Sequence, residues 1–187
     1  KLAASMGITK ADGSQLDPDP SIALGSTPVP PLSMANAYAT FASGGKYCKP
    51  IAIDQILDAS GTSMAVPSAD CTQAMDQGAA DETAKTLRAT SEPGGTAKDA
   101  VFGRPIAGKT GTTDEAENTW FVGFTPQLST AVWIGDATES GRSLVGRTIG
   151  GVYFPEIYGS DLAAPMWRDY MSQAVANDPV LPIPSHG

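Results

Sequence analysis

Ile106-Ala107-Gly108-Lys109-Thr110-Gly111-Thr112-Thr113 is a short β-prone run that carries one lysine and ends in Thr-Gly-Thr. A polar turn, Asp114-Glu115-Ala116-Glu117, follows it. Beyond the turn, Trp120, Val122 and Phe124 alternate with Phe121 and Gly123. After Pro126, Thr130, Val132 and Ile134 alternate with Ala131 and Trp133. Runs of β-branched and aromatic residues cut by turn residues read as strands. Three strands are expected, at about 105–113, 118–125 and 129–136, joined by turns too short for a crossover helix and therefore antiparallel. The fold class this predicts is α/β of the mixed, α+β type: an antiparallel sheet flanked by helices, not a doubly wound parallel sheet.

A lysine in the middle of such a strand has two readings. It can be an exposed edge lysine that discourages aggregation. The glycines on both sides favour the other: Gly108 and Gly111 bare the strand, as happens where a ligand or another backbone approaches closely. A lysine and hydroxyls beside bared N–H groups suit a carboxylate and a developing oxyanion.

The 187 residues, 41% hydrophobic with 20 Gly and 15 Pro, are enough for one domain with a core, without repeats or low complexity. A net charge of −8 argues against nucleic-acid binding. No apolar run approaches the roughly 18–20 residues of a membrane helix, and the opening Lys1-Leu2-Ala3-Ala4-Ser5 has no signal-peptide core. The sole histidine, His186, is in the tail, so Cys48 and Cys71 make no zinc site; no metal and no organic cofactor is expected.

Leu2 to Met6 reads as a helix end stopped by Gly7, and Ser21 to Ser26 as a short strand or extended lead-in. From Pro31, suited to a first helical turn, Leu32, Ala35, Tyr38, Ala39 and Ala42 fall at helical spacing until Gly44-Gly45. Residues 50–57 and 62–66 suggest a hairpin. Residues 78–90 suggest a helix with Ala80, Ala84 and Leu87 on one stripe, and 96–101 a short helical turn. Residues 137–160 lack periodicity and read as an irregular excursion. A last helix, 161–176, is expected to start on a Ser160 or Asp161 cap and to face the sheet with Met166, Tyr170 and Ala174. Residues 1–178 form the expected domain portion and 179–187 a loose proline-rich tail. Trp120, Trp133 and Trp167 are expected in the core and the acidic turn in solvent.

Lys109-Thr110-Gly111 resembles the Lys-Thr-Gly box of penicilloyl-serine transferases. The wider runs Ala107-Gly108-Lys109-Thr110-Gly111-Thr112-Thr113, Asn118-Thr119-Trp120-Phe121-Val122-Gly123-Phe124-Thr125-Pro126, Pro31 to Ala42 with Gly44-Gly45, and Ala163-Ala164-Pro165-Met166-Trp167-Arg168 look like the transpeptidase domain of bifunctional, class A penicillin-binding proteins. The likeness spans about Met6 to Met171.

That resemblance implies a serine D,D-transpeptidase that cross-links peptidoglycan stem peptides ending in D-Ala-D-Ala and is acylated by β-lactams. It assigns Lys109 a positive field over the substrate carboxylate. Thr110 and Thr112 would bind that carboxylate beside Gly111, and the Thr112 N–H would be one oxyanion donor. The family's other boxes, Ser-x-x-Lys and Ser-x-Asn, are not matched. Ser43-Gly44-Gly45-Lys46 fits the first formally, but two glycines at a helix end break the shared face that an amine and a serine hydroxyl need. No Ser-x-Asn occurs. The chain therefore resembles the C-terminal half of such a domain, inactive alone, whose partner is the N-terminal half carrying both boxes.

The same resemblance implies an extracytoplasmic location, with membrane attachment only through a segment outside this chain. It thereby favours a Cys48–Cys71 disulfide over two free thiols. Two alternatives stay open: a D,D-carboxypeptidase or β-lactamase-type hydrolase, and a non-catalytic binding module.

Overall fold

The computed structural model describes residues 1–139 and 141–185, so His186 lies outside the described residues. In chain order the elements are α1 (Leu2–Ser5), α2 (Pro31–Ala42), β1 (Lys46–Tyr47), β2 (Ile56–Leu57), β3 (Ser63–Met64), β4 (Thr72–Gln73), α3 (Gln77–Ala89), β5 (Ala107–Thr112), β6 (Asn118–Phe124), β7 (Ser129–Gly135), β8 (Arg147–Ile149), β9 (Val152–Phe154) and α4 (Ala163–Ala174).

The central sheet has the order β5-β6-β7, and both pairings are antiparallel. Lys109 stands opposite Val122, and Gly111 opposite Trp120. The β5–β6 connection holds a single 3-10 turn, Asp114–Ala116, with Glu115 at φ 57°, and no crossover helix. The mixed α/β class read from the sequence is the class observed.

Helices cover both faces of this sheet. Alternation sends Phe121 and Gly123 toward α4, where Phe121 meets Trp167 with ring centroids 5.0 Å apart. It sends Phe124 the other way, against Tyr38 of α2 at 6.4 Å and beside Ala84 of α3. Residues directly opposite in a sheet share a face. Gly108, opposite Gly123, therefore lies on the α4 face, and Lys109, opposite Val122, lies on the α2–α3 face.

Local chemistry explains the helix ends. Pro31 opens α2, whose exit turns through Gly44 and Gly45 at φ 67° and 87°. The Asp76 carboxylate caps α3 by accepting from Ala79 N. Ala80 and Ala84 are fully buried on the α3 stripe, as its spacing predicts, and Leu87 packs beside them.

Several expectations are corrected. The phase of α4 is rotated by one residue: Met166 and Tyr170 are half exposed, while Trp167, Met171 and Val175 are fully buried. One residue of helix turns 100°, and the Trp167 stripe fills the space over Phe121. The N-cap of α4 is Leu162 without a side-chain cap bond, because Asp161 accepts from Tyr158 N instead. Leu32 is exposed, while Thr40 and Ala37 are buried in α2. Residues 20–23 form a 3-10 turn capped by Asp19 and not a strand. The 137–160 stretch contains the β8–β9 hairpin, turned by Gly150-Gly151 with both φ positive. The predicted hairpin at 50–66 exists, but only Ile56–Leu57 pairs with Ser63–Met64. The tail expected to be loose is anchored at two described residues: Ile183 is buried against Phe124, Ala107 and Ala84, and Pro179 O accepts from Gln127 Nε2.

Cys48 and Cys71 are joined as a disulfide, with Cα atoms 4.1 Å apart. The bridge flanks the β1–β4 pairing, and Lys49 meets Asp70 at 2.7 Å one residue inside it.

Candidate active site

β5 has two different edges. Thr113 N donates to Asn118 O at 3.0 Å, so odd-numbered residues of this strand bond toward β6. The backbone groups of Gly108, Thr110 and Thr112 therefore point away from β6. At Gly108 that edge is closed: Thr90 Oγ1, just past the end of α3, donates to Gly108 O at 2.6 Å. At Thr110 and Thr112 it is accessible, Thr110 half-buried and Thr112 exposed.

Lys109 is exposed on the α2–α3 face, and its ammonium turns back to Thr110 O at 2.9 Å. It also reaches Thr110 Oγ1 at 3.5 Å; an ammonium has three donors, so one remains for an incoming acceptor. The remainder of that face is only partly covered. Trp120 and Trp133 lie side by side there with centroids 6.4 Å apart, both only partly buried. Trp133 Nε1 donates to Asn118 Oδ1 at 2.8 Å. Of the three tryptophans expected in the core, only Trp167 is fully buried.

Thr112 Oγ1 accepts from Gly159 N at 3.1 Å. Nothing in the sequence flagged Gly159, because a backbone N–H 47 positions away leaves no side-chain signature. The acidic turn is held from outside by Ser143 Oγ donating to Glu115 O and Leu144 N to Ala116 O, with Asp114 and Glu115 in solvent. Among the described residues no cluster of three or more His, Cys, Asp or Glu side chains is placed to hold a metal ion.

The structure thus brings Lys109, Thr110, Gly111 and Thr112 together at one strand end, and leaves the Ser43-x-x-Lys46 pattern elsewhere. Ser43 ends α2, and its Oγ lies 2.7 Å from Lys46 O and 3.2 Å from Thr40 O, in hydrogen-bond contact with backbone and not with the amine. A Cβ on Gly45 would collide with Met75 O, so this segment is a packed helix stop. The strand end thus presents one cation and outward backbone groups, an arrangement chemically suited to an anion, and Ser43 is not placed against an amine that could activate it.

Known proteins resemble this chain along most of its length. A family profile described as penicillin binding protein transpeptidase domain matches residues 7–151. Penicillin-binding protein 1A of Aquifex aeolicus (strain VF5) is 36% identical over 157 residues, covering 83% of this chain and 20% of that protein. Penicillin-binding protein 2D of Bacillus subtilis (strain 168) is 33% identical over 187 residues, covering 96% of this chain and 24% of its own length. The structure of the penicillin-binding protein PonA1 from Mycobacterium tuberculosis superposes with a TM-score of 0.80 at 29% identity, over 99% of this chain and 51% of that one. The same protein in complex with penicillin V gives 0.79. The chain spans 20% to 24% of the length of these curated relatives. By the profile match and these identities, the chain belongs to the penicillin-binding protein transpeptidase domain family.

Proposed function

We propose that this chain supplies the Lys-Thr-Gly wall of a serine-type D,D-transpeptidase that cross-links peptidoglycan stem peptides and is acylated by β-lactams. The observation that carries the reading is the open end of β5, where Lys109 stands beside the outward backbone donors of Thr110 and Thr112. Residues 1–178 form the C-terminal part of the catalytic domain. The preceding part of the domain is the partner and brings Ser-x-x-Lys and Ser-x-Asn.

In the proposed reaction the serine Oγ of that partner attacks the penultimate D-Ala carbonyl, and its proton passes to a neighbouring amine. The carbonyl oxygen takes the electron pair and is held by Thr112 N–H together with the serine's own N–H. Collapse breaks the peptide C–N bond, and D-Ala leaves with a proton on its nitrogen. The amine of a second stem then attacks the ester, the ester C–O bond breaks as the cross-linking amide forms, and the proton that the attacking amine loses passes to the serine oxygen. Lys109 places its charge over the terminal carboxylate, and the Thr110 and Thr112 hydroxyls donate to it. A β-lactam offers its carbonyl and carboxylate to the same groups.

The reaction takes place outside the cytoplasm, a compartment in which the Cys48–Cys71 bridge persists. Among the described residues no helix is long and apolar enough to cross a membrane.

The test is Lys109→Ala in the intact transpeptidase. Losing a charge-assisted contact to a carboxylate slows β-lactam acylation roughly ten- to a hundredfold with an unchanged melting temperature. An edge lysine without a role changes the rate less than about twofold, and that result returns Lys109 to the aggregation-blocking reading. Treated with a labelled penicillin, the chain alone forms no adduct by mass spectrometry, while the chain paired with its partner carries the label on the partner's serine. A penicilloyl mass on Ser43 overturns the division of the site.

A further inference from the structure

We propose that Gly159 is a positioning residue for the substrate carboxylate: its backbone N–H binds Thr112 Oγ1 and so directs the Thr112 proton outward as a donor, which makes the open end of β5 selective for a free carboxylate. The inference rests on the transpeptidase reading above and extends it to residues outside the Lys-Thr-Gly run.

The segment between β9 and α4 is tied down at Ile157, Tyr158 and Gly159. Ile157 is buried, with 1% of its surface exposed. Tyr158 N donates to Asp161 Oδ2 at 2.8 Å, and Ala164 N, in the first turn of α4, donates to Gly159 O at 2.9 Å. Gly159 is itself buried, and its N–H reaches Thr112 Oγ1 at 3.1 Å. No side chain fits there. A Cβ on Gly159 would collide with Trp120 O and lie 2.8 Å from Gly111 O and 3.2 Å from Gly111 N. Its φ is not in the left-handed region, so glycine is required by closeness and not by backbone conformation.

A hydroxyl has one proton and two lone pairs. Gly159 N–H fills one lone pair, and among the described residues no acceptor takes the Thr112 proton. A hydroxyl that already accepts is polarised, and its proton becomes the stronger outward group. A carboxylate accepts that proton as a charge-assisted bond. An esterified end offers only a neutral acceptor, for which the same bond is about half as strong. The strap therefore sets the sign of what Thr112 recognises and fixes it to α4, whose Trp167 and Met171 are locked in the core.

The experiment uses the intact transpeptidase and two probes: an acyl-D-alanyl thioester whose leaving group ends in a free carboxylate, and the same thioester methylated there. Gly159→Ala lowers kcat/KM for the carboxylate probe about tenfold and leaves the methyl ester within about twofold, consistent with one weakened charged hydrogen bond. Asp161→Ala, which frees Tyr158 N without adding bulk, moves the ratio the same way. Asp161→Asn, which keeps an acceptor there, restores it. In a Thr112→Val background neither strap substitution changes the ratio further. If both probes slow equally in Asp161→Ala, or neither slows, the strap is structural only and the inference falls. The Asp161 variants decide this even if Gly159→Ala does not fold. Lys109→Ala run beside them separates the two levels: if it slows acylation while the strap variants keep the probe ratio, the inference alone fails; if it has no effect either, the transpeptidase reading fails with it.

Discussion

A Cβ placed on Gly108 would lie 2.7 Å from both Phe121 Cζ and Val122 O, whereas one on Gly111 would rest 3.3 Å from Trp120 Cβ. The two glycines flank the same lysine, yet Gly108 is bare because a core phenyl ring fills its space. Gly108→Ala is therefore expected to destabilise the domain by about 1–3 kcal/mol through overpacking, read from denaturant unfolding of the intact protein. The strand bared for a ligand reduces to Thr110–Thr112. Tyr38 gives a second residue-scale test. Burial pushes its phenol up from 10.0 to about 12. The folded state then holds that proton more tightly than the unfolded chain, so its contribution is complete below pH 10 and is lost as pH rises toward 12. Tyr38→Phe is expected to flatten the loss of stability over that window, measured by chemical unfolding at successive pH values.

Helix α4 separates what a pattern can specify from what it leaves open. Its existence and length follow from apolar residues at helical spacing, but its phase does not. Met166 and Tyr170 are as apolar as Trp167 and Met171, the two stripes lie 100° apart, and no polar residue in either one breaks the tie. Packing decides, since Trp167 fills the space over Phe121 and donates its Nε1 proton to Thr130 O at 3.1 Å. Met171→Ala is expected to cost about 2–5 kcal/mol and Met166→Ala no more than about 0.5 kcal/mol. Equal losses would return the helix to the phase its sequence suggested. The β8–β9 hairpin is hidden for another reason: three-residue strands are too short to display alternation, and Gly150-Gly151 is the one local signal. Ser160 and Asp161 resemble caps because both residue types cap helices, but Asp161 is spent on the turn before α4.

At the scale of the molecule, the candidate site is legible in the sequence where it is contiguous and hidden where it is assembled. Lys109, Thr110, Gly111 and Thr112 are neighbours along the chain, so strand logic finds them together. Gly159, Thr90 and Asp161 reach the same strand or its strap from elsewhere through groups that composition does not display. The Cys48–Cys71 bridge closes a separation of 23 positions. Its loss on reduction is expected to cost about 3 kcal/mol on the loop-entropy estimate, and thiol titration of the denatured, unreduced protein should find no free thiol. The Thr90 hydroxyl on Gly108 O has a consequence for size. An extended ligand laid along β5 meets outward groups at Thr112 and Thr110, a run of about 7 Å at strand spacing, and then abuts the end of α3. On the proposed function, the edge is a ruler with a stop: it would measure the last residues of a chain and give no room for its middle.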